Sequence, residues 1–406
     1  MHQTIAARSG RRHSWPIDSA DFWRLWFVGL IVFTVRWVET VAVGVFVYQR
    51  TASAFIVAVM VMLRLLPMGL FGAFLGAIAE RIERRTTLNL VLGSMVITSL
   101  TLATLAHMHL LAVWHLAVAS FINGVAWATD NPVRRVMIGE AVGSGQMGTA
   151  MSIDVGANNA SRMIGPTIGG LLLASTGIAG VFTLSVVLYA IGMVAASRVR
   201  YRNSYLPAAS ESVLARIAEG LRRVRGDRRL IGTLTVTVIY NVFGWPFTSM
   251  VPVIGHDQLL LGPEGVGILA SMDGIGAFVG AVLMAMFCHA DFYRHAYVGG
   301  VTLYMIMLTV FALVPVPPIA GSALLLTGLG GAGFSIMQAT LVYLSSPPEM
   351  RSRMLGLLSV CIGIGPVGFI ALGTLADAVG APWATASSGI MGLVMLLLTR
   401  PLWRAI

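Results

Sequence analysis

The chain has 406 residues, of which 57% are hydrophobic and only 11% are charged, and its mean hydropathy is +0.83. Soluble domains carry about 25% charged residues, so this composition excludes a water-exposed globular protein and favours a membrane protein. The formal charge of +10 comes entirely from arginine, since the sequence contains no lysine. Its two cysteines have no metal-ligand spacing, so neither a disulfide framework nor a metal site is predicted.

Residues 1–21 form a predicted cytoplasmic tail, because they lack the short apolar core and cleavage site of a signal peptide. Apolar runs of about twenty residues then predict twelve transmembrane helices. The first six are 22–48, 53–78, 86–107, 110–131, 145–174 and 178–197. The second six are 229–254, 262–288, 294–314, 317–345, 352–378 and 381–400.

The distribution of the arginines predicts how the twelve helices are oriented in the membrane. With both termini inside, 23 of the 27 arginines fall in cytoplasmic segments, one lies in an outer loop at Arg50, and three lie within helices. Such an asymmetry is the positive-inside pattern of a multi-pass protein in a bacterial inner membrane. Because the basic residues are dispersed among the cytoplasmic loops, no nucleic-acid partner is predicted.

The longest polar stretch, residues 198–228, separates a bundle at 22–197 from a bundle at 229–400, and residues 401–406 form a cytoplasmic C-terminus. Within this linker, SESVLARIAEGLRRVR has the apolar spacing of an amphipathic helix on the cytoplasmic face, either as a solvated connector or with a regulatory role. Two six-helix bundles predict paired repeats around a central cavity. The predicted fold class is therefore an all-α membrane protein.

The loop after predicted helix 2 resembles the G-x-x-x-D-R-x-G-R-R signature of the major facilitator superfamily. Its matching residues are Gly76, Glu80, Arg81, Arg84 and Arg85, with Glu80 in place of aspartate and Glu83 in place of the second glycine. The resemblance implies a conformational latch, in which the acid at the helix end pairs with arginine. Asp130, at the end of predicted helix 4, is the expected partner of this latch.

Predicted helix 5 resembles the antiporter signature of drug exporters, G-x8-G-x3-G-P-x2-G-G. Small residues at this spacing allow close helix packing, and the proline removes one backbone hydrogen bond. The matching residues are Ser161, Gly165, Pro166, Gly169 and Gly170, with serine at the first two glycine positions, Ser152 and Ser161.

Shorter segments resemble the enterobactin-exporter and macrolide-efflux branch of the superfamily. They are Asp130-Asn-Pro-Val-Arg-Arg135, Asn241-Val-Phe-Gly-Trp-Pro246, Leu261-Gly-Pro-Glu-Gly-Val-Gly267 and Glu349-Met-Arg-Ser-Arg353. The resemblance covers nearly the whole chain. It implies the twelve-helix major facilitator fold, export of a small molecule, a monomeric protein in contact with membrane lipid, and no cofactor.

Six charged residues are predicted within the helices, and the resemblance places all six on helices that line the central cavity. A charge in this position is costly and faces a partner or a cavity. Arg36 and Glu39 lie three residues apart on predicted helix 1, close enough to pair. As proton-coupling residues we predict Glu39 first, then Asp154 and Asp273, because burial favours proton binding by a carboxylate. Structural ion pairs are the alternative.

The remaining polar residues in the helices are candidates for the substrate cavity, because a buried amide or guanidinium needs a partner. They are Arg36, Arg64, Asn158, Arg162, Asn241 and Gln338. Aromatic or apolar candidates, for which a core or lipid-facing position is the commoner alternative, are Trp37, Trp127, Tyr240, Phe243, Trp245 and Met337.

The sequence contains no nucleotide-binding P-loop, no nucleophile elbow and no HExxH metal motif, so an enzyme is not predicted. The first hypothesis is a proton-coupled exporter of a small amphipathic compound, such as a drug or a siderophore. The alternative is a lipid transporter of the lysophospholipid type, in which the intramembrane arginines bind phosphate.

Overall fold

A computed structural model describes residues 17, 19–79, 82–143, 145–200, 227–346, 350–404 and 406. Every regular element in these ranges is helical, which confirms the predicted all-helical membrane chain. Nine of the described helices are long and apolar enough to cross a membrane. The loop predicted as a latch is only partly covered, since Glu80 and Arg81 lie outside the described residues, as does most of the linker.

The first half of the chain contains five helices: α1 (Ala20–Thr51), α2 (Ala54–Ala79), α3 (Arg84–His107), α4 (Val113–Val142) and α5 (Met147–Ser197). The long α5 is two helices that meet at Gly177, whose φ of 68° breaks the helical path. Glycine adopts this left-handed conformation without steric cost. The break falls between predicted helices 5 and 6.

The second half contains α6 (Arg228–Ile239), α7 (Val251–Asp257), α8 (Pro263–Phe287), α9 (Tyr293–Leu313), α10 (Pro317–Leu344), α11 (Arg351–Ile362), α12 (Gly365–Val379), α13 (Ala381–Leu398) and α14 (Arg400–Trp403). Between α6 and α7 the chain makes a π-helical turn, Tyr240–Gly244, and a 3-10 turn, Trp245–Ser249. Pro246 cannot donate a backbone hydrogen bond, which favours this irregular passage.

The two halves pack on each other mainly through two helix pairs, α5 with α8 and α2 with α12. Between α5 and α8, the Thr167 hydroxyl and backbone N–H lie 2.8 and 3.1 Å from the Ser271 hydroxyl. Small residues permit the close approach, because a Cβ on Gly267 would meet the carbonyl oxygen of Pro166 at 2.5 Å.

A third set of contacts joins the halves at the end of the bundle where α1 meets α2. Asp377 of α12 accepts hydrogen bonds from the Ser53 hydroxyl, at 2.7 Å, and from the backbone N–H of Phe55, at 3.1 Å. Tyr48 of α1 donates a hydrogen bond to Asp257 of α7. Asp377 thus caps the N-terminus of α2 from the opposite half of the protein.

Candidate substrate cavity

A cavity of about 790 Å³, including its open mouth, lies between the two halves. Side chains of α1, α2 and α4 form most of its wall, and Trp245 and Thr248 contribute from the second half. The wall is mainly apolar, with a small polar group formed by Arg36, Glu39, Arg64 and Asn123. An apolar cavity with a few convergent polar groups is the usual form of a small-molecule site.

Glu39 lies at the centre of this polar group and is only 2% exposed. Its Oε2 lies 3.9 Å from Arg64 Nη2 and accepts a hydrogen bond from Asn123 Nδ2 at 3.2 Å. Arg64 is held in place by the Thr40 hydroxyl at 3.0 Å and the Arg36 carbonyl at 3.3 Å. The Ser185 hydroxyl of α5 also interacts with the Glu39 carboxyl group, while Glu39 Oε1 has no well-aligned hydrogen-bond partner among the described residues.

Arg36 does not pair with Glu39, which corrects the sequence interpretation. Its guanidinium carbon lies 3.8 Å from the centroid of the Trp127 ring, in a cation–π contact. Among the described residues, no carboxylate oxygen lies within 4.0 Å of the Arg36 guanidinium. The physical reason is that α2 brings Arg64 to Glu39 from another helix, which a local spacing cannot reveal.

A second space of about 550 Å³ adjoins the first and shares Trp37, Thr40 and Thr248 with it. Arg162 of α5 and Asp273 of α8 form an ion pair on its wall, so this pair connects the two halves of the protein. The Arg162 guanidinium also lies 5.6 Å from the Trp37 ring centroid. The structure therefore brings together two predicted site residues that are 111 positions apart.

Asp154 lines neither space and belongs to a separate buried cluster. Arg134, which is completely buried, pairs with Asp154 and lies 3.5 Å from Asp130 Oδ2. Arg135 approaches Asp154 Oδ2 at 3.8 Å. The charge of Asp154 is thus balanced by arginines away from the cavity, and its part in proton coupling stays a prediction.

Two arginines of the predicted latch, Arg84 and Arg85, lie within the described residues. Arg84 pairs with Glu140, and Arg85 donates to the backbone carbonyl of Ser197. Among the described residues, Asp130 has Arg134 as its partner, one turn along the same helix. Glu80 and Arg81 lie outside the described residues, and the surroundings of Gly76 are not described either.

The small residues of the helix-5 motif lie on two faces of α5. Ser161 is 3.0 Å from the Thr34 hydroxyl of α1, and a Cβ on Gly165 would lie 2.6 Å from Trp37 Cβ. Gly169 likewise faces α1, and Gly170 faces α8. Gly165, Gly169 and the buried Pro166 thus hold the helix that carries Arg162 close to both of its neighbours.

Three predicted cavity residues, Asn158, Asn241 and Gln338, line neither space. Asn241 is buried and donates to the Thr237 carbonyl at 2.8 Å, so its amide stabilises its own helix. Conversely, sequence reasoning missed Asn123, although an amide within the apolar run of predicted helix 4 was a signal. In the described chain, no group of three histidine, cysteine or acidic residues is arranged to hold a metal ion.

Comparison with known proteins identifies the family. Residues 13–403 match the family described as transmembrane secretion effector. The chain is 26% identical to multidrug efflux pump Tap of Mycolicibacterium fortuitum, covering 87% of each protein. It is 20% identical to macrolide efflux protein A of Streptococcus pyogenes, covering 91% of each, and 19% identical to the staphyloferrin A transporter of Staphylococcus aureus, covering 91% of this chain and 92% of that protein.

Solved structures support the same fold. A POT family transporter in complex with 5-aminolevulinic acid superposes with a TM-score of 0.76 at 14% identity, covering 94% of this chain and 96% of that one. A bacterial homologue of the lysosomal transporter Spinster, inward-facing and unoccupied, gives 0.71 at 15% identity, covering 96% and 97%. The protein is therefore a multi-pass membrane transporter, not an enzyme, and belongs to the transmembrane secretion effector family of the major facilitator superfamily.

Proposed function

We propose that this protein exports a small amphipathic compound in exchange for protons, by alternating exposure of the cavity between its two halves. The observation that carries the proposal is Glu39, a buried acid on the cavity wall that is only loosely paired, since Arg64 lies 3.9 Å away and Oε1 has no well-aligned donor in the described structure. Its partners Arg64 and Asn123 come from two other helices of the same half. Drug and siderophore transporters among the relatives support this class of cargo.

The proposed topology has twelve spans, with bundles at 22–197 and 229–400. The 51 residues of α5 would extend about 76 Å as one helix, more than twice the roughly 30 Å hydrocarbon core. Its break at Gly177 suits two crossings. Nine described helices are apolar enough to span the membrane, and counting α5 as two crossings gives ten. Adding α2 and α4, whose apolar runs are short or interrupted by charges, gives twelve. The arginine distribution supports cytoplasmic termini.

Proton coupling at Glu39 follows from its contacts. The ionised carboxylate attracts Arg64 and accepts from Asn123, whereas a protonated Glu39 loses its charge and weakens both interactions. Proton binding thereby releases the Arg64 guanidinium toward the cavity. Asp273 is the second coupling residue, because its pair with Arg162 joins the halves and would separate when they rock apart.

The test is uptake into everted membrane vesicles energised by a proton gradient, using a panel of erythromycin, ethidium, norfloxacin and staphyloferrin A. We expect at least one compound to accumulate, and accumulation to fall about tenfold or more with an uncoupler or with Glu39→Gln, because charge neutralisation removes the coupling step. The matched control is Glu264→Gln, an exposed acid at the start of α8 that lies outside both spaces.

Asp273→Asn should reduce accumulation as well, while Asp154→Asn should reduce protein stability more than coupling. Accumulation that survives the uncoupler and the combined substitution of Glu39 and Asp273 would show that protons do not drive transport through these residues. Lipid translocation is not proposed, because the relatives are described as transporters of macrolides, multiple drugs and a siderophore.

A further inference from the structure

The polar side chains of the first cavity include more positive than negative charges. Two guanidinium groups, Arg36 and Arg64, face one carboxylate, Glu39, and Glu39 is already engaged with Arg64. The neighbouring pair of Arg162 with Asp273 is balanced and gives no spare negative charge. Among the described residues the first cavity therefore has one positive charge in excess, and an uncompensated charge inside a membrane is costly unless something binds it.

The excess charge resides on Arg36, whose geometry leaves it available. Its guanidinium rests on the face of Trp127, half-buried, and the described chain offers it no carboxylate within 4.0 Å. A guanidinium that stacks on an aromatic ring keeps its N–H groups in its own plane, parallel to the ring, so they can donate outward past the ring edge. Arg36 therefore presents planar donors to the cavity, an arrangement that matches the two oxygens of a carboxylate.

Other polar atoms of the cavity lack partners as well. Two buried acceptors, Glu39 Oε1 and Asn123 Oδ1, have no well-aligned hydrogen-bond donor among the described residues. Two buried donors, Arg64 Nε and Trp37 Nε1, have no acceptor there. Buried polar groups are normally satisfied, so a ligand that completes this site would supply at least one hydrogen-bond donor in addition to its anionic group.

We propose that the cargo of this transporter carries an oxyanion of the carboxylate type, which binds Arg36, next to a hydroxyl or N–H group that donates to Glu39 or Asn123. The apolar wall formed by residues such as Val43, Val61 and Trp245 receives the hydrophobic part of the molecule. Arg36 is then the residue that determines specificity for charge. This inference rests on the proposed role of the cavity as the transport site.

The same chemistry is available from a soluble carboxylate or from the headgroup of an anionic lipid, so the test must separate the two sources. It uses three fluorescent probes with one skeleton and different charge: dansylglycine, dansylamide and dansylcadaverine, which are anionic, neutral and cationic. Energy transfer from the tryptophans of the cavity to the dansyl group reports binding to the full-length protein in phosphatidylcholine nanodiscs, after subtraction of the signal from nanodiscs without protein.

Dansylglycine should bind about tenfold or more tightly than dansylamide, because a charge-assisted hydrogen bond in a desolvated site is strong. Dansylcadaverine should bind weakest, since its ammonium group meets the excess positive charge. Arg36→Gln should abolish the preference for dansylglycine, whereas Arg36→Lys should retain part of it. The matched control is Arg50→Gln, an exposed arginine on the same helix, 5.4 Å from the Phe46 ring and outside the cavity.

Preference for the cationic probe, equal binding of all three, no binding of any, or a preference that survives Arg36→Gln would each overturn the proposal. The order of the probes on the unmodified protein decides this even if Arg36→Gln does not fold. Displacement of dansylglycine by phosphatidylglycerol in the nanodisc would identify a lipid headgroup as the source. Proton-dependent export of cations alone would overturn this inference while leaving the proposed function intact.

Discussion

The two halves of the protein fill their interiors with different chemistry. Of the five charged side chains buried in the described structure, four lie in the first half: Glu39, Asp130, Arg134 and Asp154. The second half contributes only Asp273. Its interior instead contains stacked rings, with Tyr240 and Phe334 centroids 3.7 Å apart and Tyr297 and Phe334 centroids 5.6 Å apart.

This difference in buried chemistry predicts that the two halves respond differently to a change in charge. Ionic groups in an apolar medium depend on their partners, so a change in protonation or ligand binding in the first half has large energetic consequences. Aromatic rings and close-packed glycines form a rigid framework that changes little with charge. We therefore expect the stability of the first half to depend on paired charges and that of the second half on close packing.

The largest effect is expected from Arg134→Met, which would leave Asp130 and Asp154 buried without their main cation. Removing one partner of a buried ionic group costs about 3–5 kcal/mol, so the melting temperature in detergent should fall steeply. The control is Arg135→Met, because the Arg135 side chain is 46% exposed and its contribution should be about 1 kcal/mol or less.

The same cluster provides a rescue. Combining Arg134→Met with Asp130→Asn and Asp154→Asn removes the three buried charges of the group and leaves only the partly exposed Arg135, and we expect it to recover part of the lost stability. An equal melting temperature for Arg134→Met and Arg135→Met would contradict the view that this half depends on buried charge.

A smaller effect is expected from crowding the second half with Gly328→Ala on α10. The added Cβ would collide with the Asp273 carbonyl oxygen and lie 2.8 Å from the backbone nitrogen of Ala277, both on α8. Overpacking of this kind costs about 1–3 kcal/mol, measured again as a lower melting temperature. Gly156→Ala is the matched control, since no atom lies within 4 Å of the added Cβ and alanine favours the helix.

If Gly328→Ala were as stable as the unmodified protein, the second half would be less closely packed than the comparison assumes. Such a result would weaken the comparison between the two halves without affecting the ionic groups of the first.

The smallest effect is expected from Tyr297→Phe, which removes a hydroxyl that donates to the Thr233 carbonyl at 2.8 Å and lies 2.8 Å from the Thr237 hydroxyl. A neutral hydrogen bond contributes about 1 kcal/mol to stability, and the substitution keeps the aromatic ring. Tyr293→Phe, which changes a half-buried ring at the start of α9, serves as the control. A loss above about 3 kcal/mol would show that polar groups matter equally in both halves.

Much of the fold could be predicted from the sequence, because apolar run length and breakers are local properties. Predicted helix 2, at 53–78, corresponds to α2 at Ala54–Ala79, and the predicted gap at 175–177 contains the break at Gly177. Hydropathy does not determine how helices rotate about their axes, however. It therefore could not reveal that Glu39 meets Arg64 rather than Arg36.

Asp154 and Arg162, which both lie on α5, illustrate the same limit. Asp154 and Arg162 are two turns apart, which separates them by about 12 Å along the helix. Asp154 consequently reaches Arg134 of α4, while Arg162 reaches Asp273 of α8. Spacing placed both residues on related faces, but only the neighbouring helices decide which partner each one finds.

The cap that Asp377 places on α2 affects how easily the two halves separate at that end of the protein. Separating the halves at that end would leave the N–H of Phe55 without its acceptor, and loss of such a cap costs about 1 kcal/mol. That energy alone favours the shut arrangement of this end about fivefold. The hydrogen bond that begins α2 therefore also resists separation of the two halves at the end of the bundle predicted to be external.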